Sequence, residues 1–312
     1  MLVLKNDYSI RSLLTVRSLI DSHAKPVKDG KIMKLQVCHI INPYIVREGS
    51  EESVIHQKTI QSLLLAREYA KNYIDVTFVL KVDKGELDFF REKYSEPFFV
   101  FHCIERNSAD LGIHFNAPRS LPVLSEIFKL PEEVVHPRSQ LIFTNMDICV
   151  QPFFYCEIVK IIKAGFDCFV INRRTVPKDL LYMPLEEAFC SDGEKHIGHD
   201  CFVLPTRILS KFNIRDHLLG IGFVFRPFLL NCILHGENFH EFDDVYMTFH
   251  YGDDMDWKSD KYADYLEYNR NLMIEVYAES KELIESADER KQEWIKKFFP
   301  FDFLPKVSLK DV

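Results

Sequence analysis

The feature that most constrains this chain is an alternation between residues 35 and 174, in which short apolar runs rich in β-formers are separated by stretches with helical spacing. The apolar runs are LQVCHIINP (35–43), VTFVLKV (76–82), FFVFHCI (98–104), QLIFTNMDICV (140–150) and FDCFVINRR (166–174). Such near-continuous runs are the mark of strands buried on both faces. Between them, Ser53–Ala70 spaces Ile55, Ile60, Leu63, Leu64, Leu65 and Ala66 among charges, which predicts a helix. RSLPVLSEIFKL (119–130) predicts a short helix with Pro122 near its first turn, and CEIVKIIKAG (156–165) one stopped by Gly165. Strands alternating with helices predict an α/β fold with a sheet covered on both faces.

Further strands are expected at CFVLP (201–205), IGFVFR (221–226) and VYMTFH (245–250). From Asp260 the pattern changes to one or two long amphipathic helices without Gly or Pro until Pro300. The expected organisation is an N-terminal helical extension over 1–33, a domain over 34–258, and a helical segment over 259–312 packing on that domain.

Composition narrows the function. Only 11 of 312 residues are glycine, about 3.5% and roughly half the usual ~7%. The single G-x-G, Gly220-Ile221-Gly222, lacks the third glycine of a dinucleotide fingerprint, and no P-loop occurs. A backbone cradle for phosphate is therefore absent. The net charge of -8 argues against a nucleic-acid partner, which would need a basic footprint. An anionic substrate stays open if a metal or a few local cations supply positive charge. No run of 18 apolar residues predicts a transmembrane segment, and the first residues do not read as a signal peptide. The 8 cysteines are dispersed, without a C-x-x-C pair, and read as reduced thiols of a cytoplasmic protein.

The sharpest local feature is Thr144-Asn145-Met146-Asp147-Ile148, at the end of an apolar strand. In α/β sheets ligands collect at the carboxyl ends of strands. On an extended chain Asn145 and Asp147 would point to the same side and could offer two oxygens to a divalent cation. A strand-end turn is the other reading, because Asn and Asp also favour turns.

LIFTNMDICVQPFFY resembles the metal-binding segment of GT-A fold glycosyltransferases, in which an apolar strand runs into an Asp-x-Asp motif; here it takes a T-N-x-D-I form. HIINPY (39–44), INRR (171–174), Asp200-Cys201-Phe202-Val203 and TFHYGDD (248–254) fit the same resemblance, which spans roughly residues 36–258. It implies a GT-A-like (Rossmann-like) α/β fold: a mixed, mostly parallel sheet flanked by helices, with a helical C-terminal extension. It further implies transfer of a sugar from a nucleotide-diphosphate donor, taken as UDP-linked, to a glycan or other hydroxyl acceptor.

The resemblance also implies roles for single residues. Asp147 would ligate a Mn²⁺ or Mg²⁺ bridging the diphosphate, with His250 completing the shell. Asn145 stands where the family has its first acid, so it would coordinate more weakly or hydrogen-bond the ribose. Asn42, Pro43 and Asp83 would face the nucleotide, while Arg119 and Lys258 would touch the diphosphate or donor sugar. Arg173 and Arg174 are adjacent and alternate in direction, so at most one reaches the site. Tyr251 and Trp257 are the aromatics nominated for sugar stacking. Asp200 would act as general base or acceptor contact, with His196 and Asp192 behind it.

His196-Ile197-Gly198-His199 spells the signature of class I aminoacyl-tRNA synthetases. Its context does not fit: a polar turn precedes it, a strand-like run follows it, and no downstream lysine loop exists. Three rivals to the transferase reading remain: a non-catalytic nucleotide-sugar or glycan-binding protein of the same fold, a sugar nucleotidylyltransferase, and an α/β scaffold assembled through its C-terminal helices. The nucleotidylyltransferase is the weaker of the first two, because its usual glycine-rich loop after the first strand is missing.

Overall fold

The computed structural model describes residues 34–135, 138–252 and 260–300; the extension expected over 1–33 lies outside them. Among the described residues nine strands join one sheet: β1 (Leu35–Ile41), β2 (Ile74–Asp83), β3 (Phe99–Ile104), β4 (Gln140–Thr144), β5 (Cys149–Val150), β6 (Cys168–Val176), β7 (Glu194–Pro205), β8 (Phe239–Phe242) and β9 (Thr248–Tyr251). Their order is β3-β2-β1-β4-β7-β6-β9-β5, with β8 also paired to β6. The β3-β2-β1-β4 half is parallel, β7 runs antiparallel to both β4 and β6, and β9 is parallel to β6. The alternation predicts an α/β sheet flanked by helices, and its mixed strand directions are those that the family resemblance implies.

The helices are α1 (Glu51–Ala70), α2 (Leu87–Lys93), the single turn α3 (Leu124–Ile127), α4 (Phe154–Lys163), α5 (Leu185–Cys190), α6 (Arg226–His235), α7 (Ala263–Glu279), α8 (Lys281–Glu285) and α9 (Glu289–Phe298). Ser50 caps α1 by accepting from the Ser53 amide, and Glu51 and Glu52 in the first turn suit the positive end of the helix dipole. One face of the sheet presents Val37, Ile41, Phe78, Leu80, Ile142, Phe169 and Val203 to Ile60 and Leu63 of α1 and Ile158 of α4. The strand residues of this cluster recur every second position, as a pleated strand requires. Each such side chain adds ~1.5–3 kcal/mol when fully buried.

Contacts divide the chain into two units. One comprises the described residues within Met1–Glu105, Leu130–Arg207 and His240–Asp254; the other, those within Arg106–Lys129, Ile208–Phe239 and Met255–Val312. The second unit is therefore assembled from three segments rather than appended at the end. Its centre is polar as well as apolar. Tyr265 stacks on Phe115 at 3.9 Å, and the fully buried Asn269 side chain bonds both the amide and the carbonyl of Leu218.

Several elements differ from the sequence expectation. The strand expected over 140–150 is two strands with a turn between them, and the helix expected over 119–130 is one turn. IGFVFR forms no strand: Gly220 and Phe223 both take positive φ, and the chain turns directly into α6, which carries Pro227 in its first turn. The polar stretch before CFVLP is itself strand, extending β7 back to Glu194.

Candidate functional site

Strand directions converge the candidate residues on one edge of the sheet. β1, β2, β4, β6 and β9 all end there, while antiparallel β7 begins there. Thr144, the last residue of β4, pairs with Cys201, so Asp200 lies one position beyond it. Ile171 pairs with the same Cys201, which brings Asn172 and Arg173 to this level. Thr175 of β6 pairs with His250 of β9. Cys149 pairs with Phe249 and Val150 with Thr248; continuing that register sets Ile148 opposite His250, with Asp147 next to it. This carboxyl edge is where open α/β sheets bind ligands.

Asn145–Ile148 is a turn closed by the Ile148 amide on the Asn145 carbonyl, so the extended-chain argument for Asn145 and Asp147 pointing together does not hold. The turn nevertheless delivers Asp147 to His250, whose Nε2 is 3.3 Å from Asp147 Oδ2. His250 Nδ1 donates to the Gly252 carbonyl at 2.7 Å, which leaves Nε2 as the nitrogen facing the carboxylate. Burial works to lower the His250 pKa, but the bond and charge of Asp147 outweigh it and raise the value. Burial works to raise Asp147, but His250 and the nearby Arg173 hold its carboxyl below the usual range.

The pair also fits a cation. Metal-ligating histidines characteristically give their other ring N–H to a carbonyl. The 3.3 Å between Nε2 and Oδ2 lies within the ~4 Å that two bonds of about 2.1 Å can span. Asp147 Oδ1 is buried and accepts no hydrogen bond among the described residues. No cluster of three or more His, Cys, Asp and Glu poised for a metal occurs among those residues; Asp147 and His250 form a two-ligand set, with the Asn145 amide on the same turn.

Beside this pair lies a second group. The register of β6 with β7 shifts on either side of Asn172, while Arg174 bonds the carbonyls of Asp192 and Gly193, each at 2.9 Å. One of the two arginines thus enters the cluster, as alternation requires. Arg173 Nη1 is 3.3 Å from Asp200 Oδ2, and both side chains are about nine-tenths buried, at 10% and 11% exposure. His196 lies against both, with Nδ1 3.7 Å from Asp200 and Nε2 3.4 Å from Arg173. Asp200 Oδ2 is buried and accepts no well-formed hydrogen bond among the described residues.

The other nominated residues fall differently. The Asn42 side chain donates to the Lys81 carbonyl and Asp83 accepts from the Gly85 amide, so both tie strand ends; Pro43 beside them is buried. Tyr251 is wholly buried in an apolar cluster with Phe249, Val176 and Leu181, so it cannot stack on a sugar. Asp192 is exposed. Arg119 belongs to the second unit, where its guanidinium lies 5.4 Å over the Tyr262 ring. Trp257 and Lys258 lie outside the described residues.

Three contributors escape a sequence reading. His56, buried on α1 with its edge against Tyr44, is near enough to feel the Asp147 charge; burial still drives its pKa to about 4. His39, fully buried on β1, bonds Tyr155 at 2.7 Å and Thr144 at 3.0 Å, so it braces the residue that starts the turn. On the neighbouring strands Glu241 accepts from Asn172 at 3.2 Å and lies 3.0 Å from His199 Nε2. Histidines inside apolar runs give no sequence signal distinguishing a brace from a ligand; the INRR run at least flags Asn172 and Arg173.

No family model matches the chain, and no curated protein does. Among solved structures it is similar to S. aureus TarS 1-349 in complex with UDP-GlcNAc, at 10% identity and a TM-score of 0.48, covering 87% of this chain and 82% of that one. It is also similar to a putative nucleotide-diphospho-sugar transferase from Desulfovibrio desulfuricans, at 12% identity and a TM-score of 0.37, covering 78% and 99%. A third is the inositol-1-phosphate CTP transferase from T. maritima, at 13% identity and a TM-score of 0.36, covering 79% and 98%.

Proposed function

We propose that the protein is a GT-A-like glycosyltransferase that moves a sugar from a nucleotide-diphosphate donor, taken as UDP-linked, to an acceptor hydroxyl. The observation that carries this reading is the meeting of Asp147 and His250 at the carboxyl edge of the sheet, beside a buried Arg173–Asp200–His196 group. Nothing in the glycine content offers a backbone phosphate cradle, so side chains at strand ends must supply the positive field.

In this reading Asp147 and His250 hold a Mn²⁺ or Mg²⁺, with Asn145 as a weaker third contact. When bound, such a cation neutralises charge on the departing diphosphate. Asp200 takes the proton of the acceptor hydroxyl as the acceptor oxygen bonds to the anomeric carbon. The electron pair of the breaking carbon–oxygen bond leaves on the nucleoside diphosphate. His196 orients Asp200, and the acceptor approaches from the β7 side. A cytoplasmic setting belongs to the proposal and agrees with eight free cysteines.

A non-catalytic nucleotide-sugar-binding protein is the second reading, favoured by Asn145 in place of an acid and by the ion pairing of Asp200. A thermal-shift series of nucleotide sugars with Mn²⁺ tests the donor class, since a ligand that binds only the native state raises the melting temperature by mass action. Stabilisation by a UDP-sugar that is lost in Asp147→Ala supports the site. A variant that keeps the full ligand and metal response contradicts it. Turnover of the donor then separates enzyme from binding protein.

A further inference from the structure

The chain turns directly after the segment that carries His250. β9 stops at Tyr251, which pairs with Val176, the last residue of β6. The next amide, that of Gly252, still donates to the Val176 carbonyl at 2.9 Å, so Gly252 is anchored to the end of β6. It takes a φ of 72°, a conformation that residues bearing a Cβ rarely adopt. Its carbonyl accepts from His250 Nδ1 at 2.7 Å, closing a loop that spans only two residues. Two acceptors therefore flank the imidazole: the Gly252 carbonyl at Nδ1, and Asp147 Oδ2 at 3.3 Å from Nε2. A neutral ring has a single N–H and cannot serve both. With Nδ1 claimed by Gly252, the Nε2 lone pair and a carboxylate oxygen face each other, and only a proton or a metal ion between them makes that favourable. Space is limited as well, because a Cβ at Gly252 would meet the Lys178 side chain at 3.3 Å.

We propose that Gly252 is a positioning residue of the cation site: its left-handed backbone holds the carbonyl that orients His250, and so reserves Nε2 for the metal. The inference rests on the glycosyltransferase reading and deepens it. Losing the hydrogen-bond partner of a ligating histidine costs roughly 10–100-fold in metal affinity. At Gly252 that loss follows from the backbone, so substitutions rank by how readily they take a positive φ. Asparagine visits that region, alanine less so, and a β-branched residue hardly at all.

Calorimetric titration of the full chain with Mn²⁺, joined to electron spin echo detection of nitrogen bound to that Mn²⁺, tests this. Wild type should bind Mn²⁺ with a coordinated nitrogen that His250→Ala removes. Gly252→Asn should stay within about 3-fold of wild-type affinity and keep the nitrogen. Gly252→Ala should bind more weakly than Gly252→Asn, and Gly252→Val at least ~10-fold more weakly than wild type and without the nitrogen. Asparagine and alanine set the same Cβ against Lys178, so the difference between them reports the backbone alone. Melting curves control for folding, and the asparagine–alanine comparison still decides if Gly252→Val does not fold. A purely structural glycine would lower the melting temperature in the same order while Mn²⁺ affinity and the nitrogen signal stay in place, and that result overturns the inference. Equal Mn²⁺ affinity in Gly252→Asn and Gly252→Ala overturns it too. A wild type that binds no Mn²⁺, or binds it without nitrogen, overturns the cation site of the proposed function itself, and the inference with it.

Discussion

A histidine and an aspartate 3.3 Å apart stabilise each other only while both are charged, and the metal-free protein should report this in its pH dependence. Asp147 opposes the burial that would lower His250, whose pKa rises above 6.5. Its contribution is complete below pH 6.5 and fades as pH climbs through the raised value. The Asp147 pKa falls below 3.8, so its contribution is complete above pH 3.8 and fades as pH drops through the lowered value. Asp147→Asn should therefore cost metal-free protein most between these limits, by no more than ~1 kcal/mol because the side chain is partly exposed. A melting difference between wild type and variant that stays flat from pH 4 to 8 would contradict the pairing. Tyr251 gives the opposite test. Its hydroxyl is buried and unpartnered among the described residues, so Tyr251→Phe should leave stability within ~1 kcal/mol or raise it. It should leave transfer unchanged, and a loss of transfer would restore Tyr251 to the sugar site.

At the scale of elements, His39 joins β1, the end of β4 and α4 through Thr144 and Tyr155. Burial holds its pKa near 3, so the folded state refuses a proton that the unfolded state accepts below pH 6.5. This costs up to ~1.4 kcal/mol per pH unit over that range. His39→Gln, whose amide can still donate and accept, should flatten the fall in melting temperature between pH 6.5 and 4; an unchanged slope would show that His39 is not responsible. Gly198 makes a second element-level test. A Cβ there would lie 2.5 Å from the His196 ring, while the ring's Nδ1 faces the Gly198 amide at 2.9 Å. Gly198→Ala should displace the imidazole, a mobile neighbour, at small cost in melting temperature but with a clear loss of transfer. Equal activity would remove His196 from the mechanism.

These same elements show what the sequence makes legible. Strands β1 to β4 and β6 are readable because hydrophobic burial on both faces leaves near-continuous apolar runs. The turn at 145–148 is not, because apolar Met146 and Ile148 hide it within one long run. IGFVFR misleads for a related reason: positive φ at Phe223, and at Gly220 just before the stretch, breaks an apolar run that looks like strand. Asp147 stands out at a strand end, but its meeting with His250 is legible only through family resemblance, since sheet register and not sequence distance brings them together. The contact of Arg173 with Asp200 across β6 and β7 depends on a register shift that no residue pattern announces.

Over the whole molecule, an acidic chain of net charge -8 sets Arg173 and the raised His250 against Asp200 and Asp147 at one sheet edge. No helix among the described residues is long and apolar enough to cross a membrane. In the proposed function Asp147 and His250 hold the cation that allows a nucleotide-sugar donor to react. The most direct measurement is release of nucleoside diphosphate from a UDP-sugar by wild type, Asp147→Ala and His250→Ala, each with Mn²⁺ and with chelator. Wild type should release the diphosphate only with Mn²⁺, and either variant should release at least ~100-fold less. Release by Asp147→Ala at the wild-type rate, or release by wild type that ignores the chelator, would contradict it.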